Sequence, residues 1–313
     1  MKTFLVFLLV AVSAAAEDVV IRDDGGKLRV EIGGELFTEY HYQDVARPYF
    51  YPIIGPGGAP MTRDWPMKDT GNDSTDHPHH RGLWYAHGKV NDIDFWSEKT
   101  NFGKIVHEKF LETSSGTIRS RNNWVAPDGK VICSDERAIR IHAATDARLL
   151  DFDITLLASQ GDITLGDTKE GSMAIRVPDS MVVTKTITEG KKKEKQPGNG
   201  HIITSEDVCD ADAWGKQAVW IDYHGPVNDK TVGVAIFDHP QNPRHPTWWQ
   251  VRDYGLFAAN PFGVHDFEKK PAGTGDMKIE AGKSVTFRYR FVFHEGDEKQ
   301  GRIAERYQEF AKP

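Results

Sequence analysis

The sequence predicts an all-β fold, a large antiparallel β-sandwich with a short C-terminal helix. Three observations lead there. Alternation of apolar and polar residues, the period of a half-buried strand, recurs along the whole chain. Clusters of Gly, Pro, Asn and Asp separate these runs and supply the backbone conformations that hairpins need. Only one stretch, at the C-terminal end, has helical period.

In chain order, Lys2 precedes an apolar run from Phe4 to Val12 and then Ser13-Ala14-Ala15-Ala16-Glu17, the pattern of a secretory signal. The apolar run is shorter than the roughly 20 residues that span a bilayer. Residues 1–16 are therefore expected to be a signal peptide, the protein to be exported to the periplasm or the extracellular space, and the mature chain to cross no membrane. Residues 17–313 are expected to form one β-sandwich domain, since neither an internal repeat nor a linker interrupts them.

The turn signal Asp23-Asp24-Gly25-Gly26 leads into the strand pattern Leu28-Arg29-Val30-Glu31-Ile32. Gly55-Pro56-Gly57-Gly58 and Pro127-Asp128-Gly129-Lys130 mark further turns, and Leu150 to Leu156 and Val285 to Phe291 alternate as strands. Thr186 to His201 has no apolar period and reads as an exposed loop. In Asp297 to Lys312, Ile303, Tyr307 and Phe310 share one helical face and Asp297 is the predicted N-cap.

The 313 residues carry a net charge of -7, which argues against nucleic acid as a partner because phosphate binding needs a basic face. The basic run Lys191-Lys192-Lys193-Glu194-Lys195 reads as a solvated segment. Nucleotide fingerprints of the GxGxxG and GxxxxGK[ST] types and the GxSxG nucleophile elbow are absent. Cys133 and Cys209, the only cysteines, could form a disulfide in an oxidising compartment.

Asp76-His77-Pro78-His79-His80-Arg81-Gly82-Leu83-Trp84 concentrates groups that move protons, bind oxyanions and stack on rings. The residue before a proline favours extended backbone, which would put His77 and His79 on one face and His80 on the other. His77 and His79 are then possible ligands of a divalent metal, although a stable site takes three or more protein ligands. A second segment, His239 to Trp249, repeats the mixture with His239, His245 and Trp249, and Arg252 and Tyr254 follow. Between them, Lys169, Glu170 and Arg176 lie in a glycine-bracketed, strand-forming stretch, where Glu170 could serve as acid or base.

On these residues the chain resembles a bacterial family of exported proteins commonly labelled methane oxygenase PmoA. The resemblance rests on Asp76 to Trp84, on Gly166-Asp167-Thr168-Lys169-Glu170-Gly171 with Ala174-Ile175-Arg176, and on Arg252-Asp253-Tyr254-Gly255-Leu256-Phe257-Ala258-Ala259-Asn260-Pro261-Phe262-Gly263. At Trp249 the family often carries His, a departure that weakens a ligand role there. The resemblance implies a galactose-mutarotase-like sandwich with a sugar-related role. The membrane subunit evoked by the label crosses the bilayer repeatedly, which this sequence pattern does not support.

The expected function is thus an exported carbohydrate-active enzyme, a sugar epimerase, lyase or hydrolase. His79 or His80 would be the general acid and Glu170 the base. Arg81, Trp84, Lys169, Arg176, His239, His245, Trp249, Arg252, Tyr254 and Asn260 would bind the sugar or glycan. A non-catalytic carbohydrate-binding module is the alternative, and a metal-dependent oxygenase or hydrolase the third reading.

Overall fold

The computed structural model describes residues 18–144, 146–189 and 192–312. The expected signal segment lies outside them. Among the described residues, two eight-stranded antiparallel sheets make up most of the structure. The first runs in the order Val19–Asp23, Lys27–Ile32, Glu35–His41, Tyr49–Ile53, Leu83–His87, Gly171–Arg176, Leu256–Asn260 and Trp248–Val251. The second runs His201–Thr204, Trp220–Val227, Lys230–Asp238, Ser284–Glu295, Ala147–Leu157, Val131–Ala144, Thr117–Val125 and Lys104–Ser114.

The sheets meet through the alternating apolar positions. Leu28 and Val30 of the first sheet, and Leu150, Phe152, Ile154, Leu156, Phe287 and Phe291 of the second, are buried in one continuous core. Phe37 meets Phe293 edge-on at 5.9 Å between ring centroids, and Tyr85 meets Trp124 at 6.3 Å. Because side chains alternate across a strand, burying one set leaves the other to solvent, which is why the pattern was readable.

Three neighbouring strands of the first sheet, Leu83–His87, Gly171–Arg176 and Leu256–Asn260, are instead buried on both faces. Tyr85 pairs with Met173 and points to the core. Trp84 pairs with Ala174 and, like Arg176, lies on the outer face. There the loop containing His77 to His80 covers the sheet, with His80 stacked on Trp84 at 5.4 Å.

The C-terminal helix, Ile303–Phe310, packs Ile303 and Tyr307 on Trp220, Phe237 and Val292 outside the second sheet. Asp297 is not its N-cap. Its Oδ1 accepts the amides of Lys299 and Gln300 in the preceding turn, and Arg302, at a φ of 51°, leads directly into the helix.

Two other expectations are corrected. The segment from Thr186 is not a loop: Thr184–Glu189 and Lys192–Pro197 form a two-stranded hairpin that pairs only with itself. The Lys192–Pro197 strand is exposed throughout and buries no alternating face, so it left no hydrophobic signal. Cys133 is buried, Cys209 is exposed, and both thiols are free, so the disulfide does not form. No described helix is long and apolar enough to cross a membrane.

Candidate functional site

The His77 segment folds as a turn rather than as extended chain. His77 has a φ of 42° despite preceding Pro78, and the His80 amide donates to the His77 carbonyl at 3.0 Å. This reverses the expected facing: His77 stacks on His80 at 4.8 Å and 5°, whereas His77 and His79 meet edge-on at 5.8 Å. Tyr254 stacks on the His77 ring at 5.3 Å and 7°. Tyr254, His77, His80 and Trp84 thus form a connected series of stacked rings that reaches the floor of the first sheet.

Asp76 anchors this series. It accepts hydrogen bonds from Arg63 Nη1 and, at 3.2 Å, from Arg176 Nη2, and its Oδ2 lies 3.0 Å from His77 Nδ1. Burial pushes the Asp76 carboxyl pKa upward. The hydrogen bonds from His77 and Arg63 and the charge of Arg176 outweigh it and hold the pKa far below the usual carboxylate range. Asp76 is therefore an anion that orients His77. The His77 side chain is 40% exposed, and its Nε2 makes no hydrogen bond among the described residues.

Burial governs the other two imidazoles. Burial and the nearby charge of Arg47 lower the His79 pKa to about 3. Burial, with Arg176 next in weight, drives that of His80 well below its ordinary value. At neutral pH both rings are neutral, so neither can be the protonated general acid expected there. Arg47 Nη1 also donates to the His79 carbonyl at 3.4 Å and to Glu98 Oε1 at 3.0 Å. Arg81 pairs with the same Glu98 at 3.1 Å, so it braces the loop.

A cavity of about 340 Å³ adjoins the cluster, lined by Asp76, Arg176, Asp179 and Tyr254 together with Ser74 and the Thr184–Ile187 strand segment. Two buried polar atoms of lining residues lack a hydrogen-bond partner: Arg176 Nε, a donor, and Asp179 Oδ1, an acceptor that lies 4.0 Å from Arg176 Nη2 in a loose ion pair. Buried polar groups are nearly always satisfied, so such orphans mark places where a ligand could supply the missing bonds. The Arg176 guanidinium, 1% exposed, also lies 4.8 Å from the Tyr254 ring centroid. A wider depression of about 840 Å³ near Lys230 and Glu295 contains no histidine and is crossed by the exposed Lys230–Glu295 ion pair, so its size alone does not recommend it.

The remaining predicted residues separate into two groups. Glu170 ends up at the far end of the Gly171–Arg176 strand, roughly 20 Å along the chain from Arg176 at about 3.3 Å per residue. Its charge still acts on the Tyr254 phenol, as do those of Arg176, Arg252 and Asp76, but its contact is with Lys169 Nζ at 3.3 Å. The structure does not bring Glu170 and the imidazoles into contact. Asn260 donates to the carbonyls of Thr168 and Lys169, each at 3.0 Å, and shapes that loop.

The second group is held away by its own partners. His239 packs edge-on against Phe310 at 5.0 Å, and His245 Nδ1 lies 2.7 Å from Asp238 Oδ2. Trp249 is fully buried and donates to the Ala218 carbonyl at 3.0 Å. Arg252 lies over the Trp214 ring at 4.7 Å, with its Nε buried and unpartnered. Of the His239 to Tyr254 stretch, only Tyr254 touches the His77 loop in the ring contacts.

Arg63, Arg47, Glu98 and Asp179 were missed. A lone arginine or carboxylate in loop sequence has no periodic signal, and these act through partners such as Asp76 for Arg63, His79 and Glu98 for Arg47, and Ser74 for Asp179, 13 to 105 positions away. Nor does a metal reading gain support from the donors: among the described residues, no group of three or more His, Cys, Asp or Glu side chains is arranged to hold a metal ion. His77 and His79 do not acquire the further ligand that a stable site needs.

No match to a curated protein was found. Among solved structures, the chain is similar to a Glycoside Hydrolase Family 97 enzyme from Pseudoalteromonas, at 9% identity and a TM-score of 0.33 over 90% of this chain. The chain spans 35% of that enzyme's length. It is also similar to a galactose mutarotase-like protein from Lactobacillus casei, at 11% identity and a TM-score of 0.30, covering 88% of this chain and 100% of the other. A galactose mutarotase related enzyme from Lactobacillus acidophilus gives 8% identity and 0.29, covering 88% of this chain and 97% of the other. At these scores the likenesses carry no functional argument. The sequence comparison is decisive on family alone and gives no support to the methane-oxygenase label: residues 27–308 match the Family of unknown function (DUF6807), and the chain belongs to that family.

Proposed function

We propose that this chain is an exported carbohydrate-active enzyme, working as one β-sandwich unit, in which His77 transfers a proton to and from a sugar held in the adjoining cavity. One observation carries the reading. A partly exposed imidazole, held at Nδ1 by the Asp76 carboxylate, stands beside a cavity with two buried atoms that lack a hydrogen bond, the donor Arg176 Nε and the acceptor Asp179 Oδ1. Sugar hydroxyls both donate and accept, so they match that pair, and a cavity of this size suits a small ligand. Asp76 keeps Nδ1 protonated and leaves Nε2 to take a proton from the substrate and return it, the division of labour of a base and its orienting group.

This moves the proton-transfer role from His79, His80 and Glu170 to His77. Arg176 and Asp179 bind hydroxyls, and the neutral His80 supports the ring above it. Epimerisation, elimination and hydrolysis all use a positioned base of this kind.

The test pairs binding with turnover. Thermal-shift screening against mono- and oligosaccharides should show a raised midpoint for at least one sugar, since a ligand specific to the folded state stabilises it. That sugar should be turned over by the native protein. His77→Asn should keep the shift and lose turnover by about 10²–10⁴-fold, the usual contribution of a general acid or base. Full activity in that variant would overturn the assignment, and sugar binding by the native protein without turnover would establish the binding-module alternative.

A further inference from the structure

Resting on that reading, we infer that the sugar is anionic, a uronate or sulfated unit of a longer chain, and that the Thr184–Pro197 hairpin binds the acidic units next to it. Thr184, Lys185, Thr186 and Ile187 form one wall of the cavity. The hairpin pairs with neither large sheet, so the sandwich does not require it, yet it stands beside the cavity with its second strand wholly exposed.

Its charge is opposite to that of the protein. The chain carries -7, whereas the hairpin strands hold Lys185, Lys192, Lys193 and Lys195 against Glu189 and Glu194. Lys195 is engaged by Asp253 at 3.5 Å and Lys192 by Glu194 at 3.5 Å. Lys185 and Lys193 have no ion pair among the described residues.

Inside the cavity the two carboxylates are matched by two guanidiniums. Asp76 is bonded by both Arg63 and Arg176, and Asp179 Oδ2 accepts the Ser74 amide while its Oδ1 lies 4.0 Å from Arg176 Nη2. The unpartnered Arg176 Nε is the buried donor an anionic oxygen would take in one charge-assisted hydrogen bond, since Nη1 and Nη2 are already turned to His80 and Asp76. Ile187, 39% exposed, adds an apolar surface suited to the C–H face of a sugar ring.

The experiment measures affinity of the full chain by calorimetry for three oligosaccharides of equal length: neutral, uronate-containing and sulfated. Measurements at low and high salt are repeated on the double variant Lys185→Ala/Lys193→Ala. One acidic class should bind at least about tenfold tighter than the neutral one at low salt, with the margin shrinking as salt rises. Which class does so separates carboxylate from sulfate. The double variant should lose most of that margin, with a far smaller loss of affinity for the neutral chain than for the acidic one.

Equal affinity for neutral and acidic chains, or an undiminished margin in the variant, overturns the inference. Should neutral sugars bind and be turned over through His77 with no acidic preference, the anionic inference fails while the proposed function stands. Should no sugar of any kind bind, both fail.

Discussion

Two histidine clusters in this molecule are built from the same residue types and behave in opposite ways. At the candidate site, His79 and His80 sit among Arg47 and Arg176, and burial in cationic company keeps both rings neutral. Against the second sheet, His224 Nδ1 and His294 Nε2 each lie 2.7 Å from the buried Asp222, with Glu298 3.9 Å from His224 and the His201 ring stacked edge-on at 5.3 Å. There burial pulls the His224 pKa down, but Asp222 prevails and raises it above the ordinary value. For Asp222, burial acts upward and the two histidines outweigh it, so its carboxyl is lowered. The partner charge, not the imidazole, decides the state of the ring.

The comparison is broken most severely if the two clusters exchange roles. His77→Asn should remove about 10²–10⁴-fold of turnover with little effect on folding, whereas His224→Asn should leave turnover intact. Parallel kinetic and unfolding measurements on both variants decide this, and loss of turnover in the His224 variant alone would move the active centre to the second cluster.

Next in size, Asp222→Ala leaves the buried His294 and the neighbouring His224 without their shared carboxylate. Truncating one partner of a buried charge pair costs roughly 3–5 kcal/mol, to be read as a lowered denaturant midpoint. Asn in place of Asp222 keeps the shape and part of the hydrogen bonding, so it should cost less.

The pH dependence follows in opposite directions. A histidine with a lowered native pKa resists a proton that the unfolded chain accepts. His79 therefore makes stability fall as pH drops below about 6.5 towards about 3. His224, with a raised native pKa, contributes fully below about 6.5 and loses its contribution as pH rises through its native value. Melting temperatures across pH should show His79→Gln flattening the acid limb and His224→Gln flattening the upper one. Identical profiles for the two variants would contradict the assigned charge environments.

The smallest expected effect is Glu298→Gln. At 3.9 Å from His224 its contribution is secondary to that of Asp222, so at most about 1 kcal/mol should be lost near pH 6. A larger loss would mean that Glu298, rather than Asp222, controls the His224 cluster.

The sequence determined the class of fold because strand alternation is local: Leu28 and Val30, or Phe152, Ile154 and Leu156, enter the core by period alone. It also located the His77 to Trp84 segment, since a dense mixture of reactive types is visible without coordinates. It did not reveal the Lys192–Pro197 strand, which pairs through its backbone while exposing every side chain. Tertiary structure alone decided which residues of the motifs meet. The turn at His77 put that ring on His80, Asp76 drew in Arg63 and Arg176 from 13 and 100 positions away, and the Gly171–Arg176 strand set Glu170 at the opposite end of that strand from Arg176. Composition specifies which groups a chain carries, but charge state and reach depend on neighbours that are distant in sequence, and only packing brings those together.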